Sequence, residues 1–180
     1  MLLAGVTMAL SPITSQLRGA GRTQDVGNQV RQGLWLCLGS SAILVSILLN
    51  ADKLFQLADI DAEISLIASE YLRAVSWGIP PIILYIALRH TAEGLGLTRP
   101  PMLIAGSVLP LNALLNYAFV YGNWGAPEVG VVGCGWATAI VFWVELGLMA
   151  FVVRLRQFRA TNVFANFSPP SLPIMMDILK

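Results

Sequence analysis

The chain reads as an all-α integral membrane protein. Hydrophobic residues make up 56% of it and charged residues only 12%, about half the charged share of a soluble domain. The apolar residues fall in five stretches, Leu2–Leu17, Gly33–Leu49, Leu66–Leu88, Met102–Tyr121 and Val131–Val153. At about 1.5 Å per residue, each crosses or nearly crosses a hydrocarbon core of about 30 Å. The charges sit in the gaps, and their sign alternates. Arg18, Arg22 and Arg31 face one acid, Asp25, in the first gap; the second has Lys53 against Asp52, Asp59, Asp61 and Glu63. The third holds Arg89, His90 and Arg99 against Glu93, the fourth only Glu128, and the tail opens with Arg154, Arg156 and Arg159. Basic loops stay cytoplasmic, so gaps one, three and five are expected in the cytosol of a multi-pass plasma (inner) membrane protein. The first helix then runs from outside to inside.

The same residues exclude several classes. A net charge of +1 with dispersed arginines offers no field for a nucleic-acid partner. Cys37 and Cys134 lie in or beside apolar stretches without C-x-x-C spacing, as buried small hydrophobes do, so no disulfide or metal framework follows. No H-E-x-x-H or nucleophile elbow is present, and the single His90 sits at a membrane edge, which argues against an enzyme. The chain begins inside an apolar run with no basic segment before it, unlike a signal peptide. Near its other end Ser168, Pro169, Pro170 and Pro173 lead into Ile174–Leu179, which reads as the approach to another helix. Residues 1–154 are therefore expected to form five transmembrane helices, and residues 155–180 a cytosolic linker, within a piece of a larger transporter.

Taken in order, the first stretch closes with Gly19-Ala20-Gly21-Arg22, where glycine permits a left-handed cap. Gly33, Gly39, Ser40, Ser41 and Ser46 give the second stretch small surfaces for helix contact. The third contains Gly78-Ile79-Pro80-Pro81, and proline predicts a kink there. Pro80 and Pro81 serve either packing geometry or a hinge, and the carbonyls they free need protein or cavity water as partners. This stretch ends in Gly94-Leu95-Gly96-Leu97-Thr98-Arg99, with the G-x-G spacing of the first turn. Gly122, Gly125, Gly130, Gly133, Gly135 and Pro127 predict a tight re-entry loop between the last two stretches. Glu70 and Arg73 are spaced for an i, i+3 salt bridge at an interface. Arg89 and Glu93 are spaced i, i+4, as a helix-end pair or as a cytosolic gate latch.

Several segments together resemble the multidrug and toxic compound extrusion (MATE) family, NorM branch. They are Ser11-Pro12-Ile13-Thr14-Ser15-Gln16-Leu17, Gly19-Ala20-Gly21-Arg22, Val30-Arg31-Gln32-Gly33 and Glu93-Gly94-Leu95-Gly96-Leu97-Thr98-Arg99-Pro100, followed by Asn116-Tyr117-Ala118-Phe119-Val120-Tyr121-Gly122 and Gly133-Cys134-Gly135-Trp136-Ala137-Thr138-Ala139. The resemblance covers nearly the whole chain, as helices two to six of a twelve-helix transporter plus the linker. It implies an incomplete N-terminal lobe of a secondary antiporter, which expels organic cations and other drugs by alternating access as Na⁺ or H⁺ enters. The first helix, which carries the family's principal acid in this lobe, and the whole C-terminal lobe would lie outside the chain. No other cofactor is implied.

Three polar residues within the stretches stand out. Asn112 and Asn116 share a helix face, about 13 and 7 Å below the outer boundary, and Thr138 lies about 12 Å in on the next helix. Two amide oxygens and a hydroxyl at similar depth make a hard-oxygen set for a small cation, or serve interhelical hydrogen bonds. They resemble the family's first-lobe cation site, a possible Na⁺ site completed by a carboxylate from the absent first helix. Glu145 lies about 13 Å from the end of the last stretch and about 10 Å from Thr138. It is a protonated or locally paired structural acid, or a proton relay. A related flippase for lipid-linked substrates and a non-transporting structural subunit are the competing functions.

Overall fold

The computed structural model describes residues 2–57, 60–125, 127–155, 158, 161, 163 and 169–171, with the side chains of residues 2–4 and 6 left out. Asp59, Arg156, Arg159 and Ile174–Leu179 lie outside the described residues. Among the described residues, seven α-helices run in the order α1 (Leu2–Gly19), α2 (Thr23–Leu49), α3 (Ala51–Leu57), α4 (Ala62–Ser76), α5 (Ile79–Gly94), α6 (Arg99–Tyr121) and α7 (Gly130–Val153). A 3₁₀ turn over Asn123–Gly125 joins the last two, and no strand occurs among the described residues. By length and hydropathy α2, α6 and α7 could each cross a bilayer, and α4 with α5 could form a fourth span. The first helix is not among these: Ser11, Pro12, Thr14, Ser15, Gln16 and Arg18 make its second half polar.

Several boundaries differ from the sequence expectation. The second helix starts ten residues early, at Thr23, because Asp25, Asn28 and Arg31 are tolerated on a helix whose Val26, Gly27 and Val30 are buried. A short helix, α3, occupies part of the acidic gap between the second and third stretches. The third stretch is two helices, bent by 44°. The break falls at Trp77–Gly78, just before the prolines, which occupy the first turn of α5. There a missing N–H costs nothing, whereas within a continuous helix it would orphan a carbonyl. Arg73 pairs with Asp52 at 2.7 Å rather than with Glu70, since α3 brings its carboxylate over the exposed side of α4.

The fifth helix is the hub of the bundle, packing against α1, α2 and α7. Its Tyr85, Leu88 and Ala92 share a core with Val26, Val30, Ile104, Met149 and Val153. On another side Ile83 and Ala87 meet Leu10 and Cys37. The α1–α5 crossing is close: a Cβ on Gly94 would sit 2.5 Å from the Ser11 carbonyl oxygen and 2.8 Å from Thr14 Cβ. The turns that follow these two helices have the same construction. Gly21 and Gly96 take φ of 73° and 70°. Arg22 N–H donates to Leu17 O at 2.9 Å and Gly21 N–H to Arg18 O at 3.0 Å. Leu97 N–H donates to Ala92 O at 2.8 Å and Gly96 N–H to Glu93 O at 2.8 Å. Both are Schellman caps, which only a residue free to adopt positive φ closes without strain. Arg18 then joins them, donating from Nη1 to Leu95 O.

The residues after α7 return to the start of α2. Phe158, Thr161 and Val163 are buried, and Val163 O accepts from Arg31 at 3.1 Å. Gln32, also buried, uses both ends of its amide on this strand of chain. Its Nε2 donates to Pro169 O at 2.9 Å, and its Oε1 accepts from Ser171 N–H at 2.8 Å. The described part of the expected linker is therefore held against the helix bundle by a side chain that imitates a backbone partner.

Two outcomes test this packing. Gly94→Ala should lower stability by about 1–3 kcal/mol, because its methyl meets backbone that cannot step aside. Gly39→Ala, which meets nothing within 4 Å, should be neutral or stabilising by up to about 1 kcal/mol, since alanine is the better helix former. Thermal unfolding of the purified variants in detergent reads both.

The α3–α4 contact should respond to acid. The Ser69 hydroxyl and the Arg73 guanidinium hold the Asp52 carboxyl below its ordinary value. A depressed carboxyl contributes its full share above the unfolded value of about 3.9 and loses it as pH falls through the folded one. Hydrogen exchange over Ala51–Leu57 should therefore accelerate below about pH 4, and Asp52→Asn should show that faster exchange already at neutral pH.

Candidate functional site

The last two long helices, α6 and α7, pack antiparallel through small residues. A Cβ on Gly133 would lie 2.8 Å from the Phe119 backbone, so only glycine lets the helices come so close. With Gly133 beside Phe119, Thr138 lies level with position 114, midway between Asn112 and Asn116. The sequence-selected residues thus share one depth. At about 100° per residue, Asn112 and Asn116 turn toward α7, whereas Thr138 lies about 140° round α7 from Gly133 and does not point at them. Each is half-buried.

Their hydrogen bonds fix which atoms remain available. Asn116 Nδ2 donates to both Asn112 O and Asn112 Oδ1 at 2.9 Å. That turns the Asn116 amide nitrogen onto its own helix and leaves its Oδ1 free to accept. Thr138 Oγ1 donates its proton to Cys134 O at 2.8 Å, so its lone pairs point elsewhere. The partners are intrahelical rather than across helices, contrary to simple interhelical bonding. Asn116 Oδ1 and the Thr138 lone pairs are therefore available as acceptors, as a small cation needs. Among the described residues no group of three His, Cys, Asp or Glu side chains could hold a metal, so any cation here would rest on neutral oxygens of this chain.

The other sequence-selected residues are elsewhere. Arg89 Nε binds Glu93 at 2.8 Å, and His90 Nδ1 approaches the same carboxylate at 3.1 Å, so the expected pair gains a third member. Glu145 is buried on α7 beyond Thr138. Cys37 and Cys134 are free thiols. At the bend, Pro81 removes the N–H that would have served Trp77 O one turn earlier. That carbonyl instead accepts from the indole of Trp143, on α7, at 3.2 Å. Sequence reasoning anticipated the orphaned carbonyl but not its donor, because 66 residues separate the two tryptophans.

The MatE family model matches residues 1–118. The chain belongs to the MatE family. Over 173 residues it is 39% identical to the multidrug resistance protein MdtK of Yersinia pestis (strain Pestoides F), covering 95% of this chain and 38% of that protein. It is 37% identical over 177 residues to the multidrug resistance protein NorM of Vibrio parahaemolyticus, covering 98% and 39%. The chain thus spans about two fifths of the length of these relatives. Its fold matches an inward-facing structure of a multidrug resistance MATE family transporter of the MOP superfamily, with TM-score 0.84 and 26% identity over 99% of this chain and 40% of that one. An outward-facing structure described in the same terms gives the same TM-score and identity, over 99% of this chain and 39% of that one. The relatives and the matching structures are described as multidrug resistance proteins and transporters.

The Trp143 bond can be isolated by Trp143→Phe, which keeps an aromatic ring and removes the donor. Such a bond inside a membrane bundle averages about 0.6 kcal/mol, so the fold should survive while the bend loosens. Pulsed distance measurements between spin labels at Ile64 and Thr98 should show a broader distribution in the variant. An unchanged distribution would assign the bend to proline geometry alone.

Proposed function

We propose that this chain is the greater part of the N-terminal lobe of a drug-efflux antiporter, with Asn112, Asn116 and Thr138 supporting ion coupling. The observation that carries the reading is the orientation of their oxygens. Asn116 spends its amide hydrogens on Asn112 and Thr138 its hydroxyl hydrogen on Cys134, leaving Asn116 Oδ1 and Thr138 Oγ1 as acceptors at similar depth. A carboxylate from a preceding helix would complete a site for Na⁺, or be hydrated and protonated there. The relatives' description as multidrug resistance proteins supports small-molecule drugs as cargo. Equal likeness to inward- and outward-facing structures supports a lobe that moves as a unit against its counterpart during alternating access. The arginine-bearing ends of the helices would face the cytosol. Pro80, Pro81 and the bend would act as a hinge within the lobe, and the Arg89–Glu93–His90 cluster as a latch at its cytosolic mouth.

The test replaces Asn112 or Asn116 by Leu in the transporter that contains this chain. Losing one intramembrane hydrogen bond costs about 0.6 kcal/mol, so insertion should be retained. Losing an ion ligand changes the affinity difference between conformations that drives the cycle. Efflux in proteoliposomes, at matched protein amounts, should lose its dependence on imposed Na⁺ or H⁺ gradients by tenfold or more, about 1.4 kcal/mol. Wild-type gradient dependence in both variants would make these asparagines packing residues.

A further inference from the structure

Away from those acceptors, two polar side chains are buried without a hydrogen bond. Tyr85 is 3% exposed, and its hydroxyl meets no donor or acceptor among the described residues. Glu145 is 9% exposed, and its carboxylate makes no hydrogen bond or ion pair with a described residue. Both lie at the interface of α5 and α7, where Leu146 and Met149 join the Tyr85 core. The register of α5 against α7 starts from the close contact of Gly78, the N-cap of α5, with Ala139. Continuing it for two turns sets Tyr85 level with Leu146 and hence beside Glu145. The two groups interact electrostatically, and Arg89, one turn further along α5, interacts with both.

An unpaired carboxylate in a bilayer interior is expensive, and so is an unpaired phenol. The guanidinium of Arg89 does not relieve them, because it is bound to Glu93 at 2.8 Å, a carboxylate that His90 also approaches. Other charges are further away. Arg73 and Glu70 on α4 belong to the opposite end of the bundle, and Arg99 and Arg154 lie level with the last turn of α7. Thr138 is two turns away along α7, about 10 Å, which separates this pair from the candidate cation site.

We propose that Glu145 and Tyr85 form a protonation site. The Glu145 carboxylate takes a proton from water and becomes a neutral acid, whose carbonyl accepts a hydrogen bond from the Tyr85 hydroxyl. The proton returns to water when the acid ionises, and no other bond forms or breaks. Tyr85, Arg89 and Glu93 are spaced four apart on one face of α5, so the site opens along a polar row toward the helix end that carries Arg89. Protonation removes the buried charge while keeping an acceptor for the Tyr85 hydroxyl.

The inference does not rest on the transport reading and is tested without transport. Infrared difference spectra of the 180-residue chain in lipid nanodiscs, taken between mildly alkaline and mildly acidic pH, should show one protonated-carboxyl C=O band appearing with acid. Glu145→Gln should abolish that band. Tyr85→Phe should keep it but shift it to higher frequency, because the carbonyl has lost its donor. Should Glu145→Gln fail to fold, the Tyr85→Phe shift still decides the assignment. A band absent at every pH, present unchanged at every pH, retained in Glu145→Gln or unmoved in Tyr85→Phe would overturn the proposal.

Discussion

A backbone carbonyl released inside hydrocarbon has no water to pair with, so each interruption of a membrane helix must be closed by the protein itself. The break at Trp77–Gly78 meets this demand with a donor from another helix, the indole of Trp143. The consequence reaches beyond one bond. The angle of α5 depends on the break, and α5 carries the contacts to α1, α2 and α7. The close approach of Gly94 to Ser11 and the Arg18 bond to Leu95 both follow from where α5 points.

Small residues and polar residues have complementary tasks in this bundle. Gly94, Gly133 and Gly135 let backbones approach to distances that any side chain would prevent. Close packing then leaves little room for polar side chains to reach across, so Asn116 and Thr138 donate to their own helices. Their oxygens are left available to accept. Tyr85 is the opposite case, its hydroxyl enclosed by packing with no partner among the described residues, and Glu145 is buried nearby. The same scaffold therefore produces one set of available acceptors and one enclosed pair.

Much of this was legible in the chain. The alternation of apolar runs and signed gaps gave the helical membrane class, and the two G-x-G turns gave the left-handed caps, since positive φ is a local demand that names its residue. The i, i+4 spacing placed Asn112 with Asn116 and Arg89 with Glu93, because a helix surface repeats every turn. Other features were not legible. The helix α3 is held by Asp52 reaching Arg73, a partner 21 residues away that no local spacing selects. Gln32 looked like part of a family signature, yet its task is to hold residues 169–171.

The sequence alone thus determined the helical class, the turns and the residues that share each helix face, because these rest on interactions within a few positions along the chain. Tertiary structure decided who partners whom: Trp143 with Trp77, Asp52 with Arg73, Gln32 with the returning chain, and Glu145 beside Tyr85. Those pairings depend on how deeply one helix sinks against another. That depth is set by glycines whose effect appears only when the facing backbone is in place.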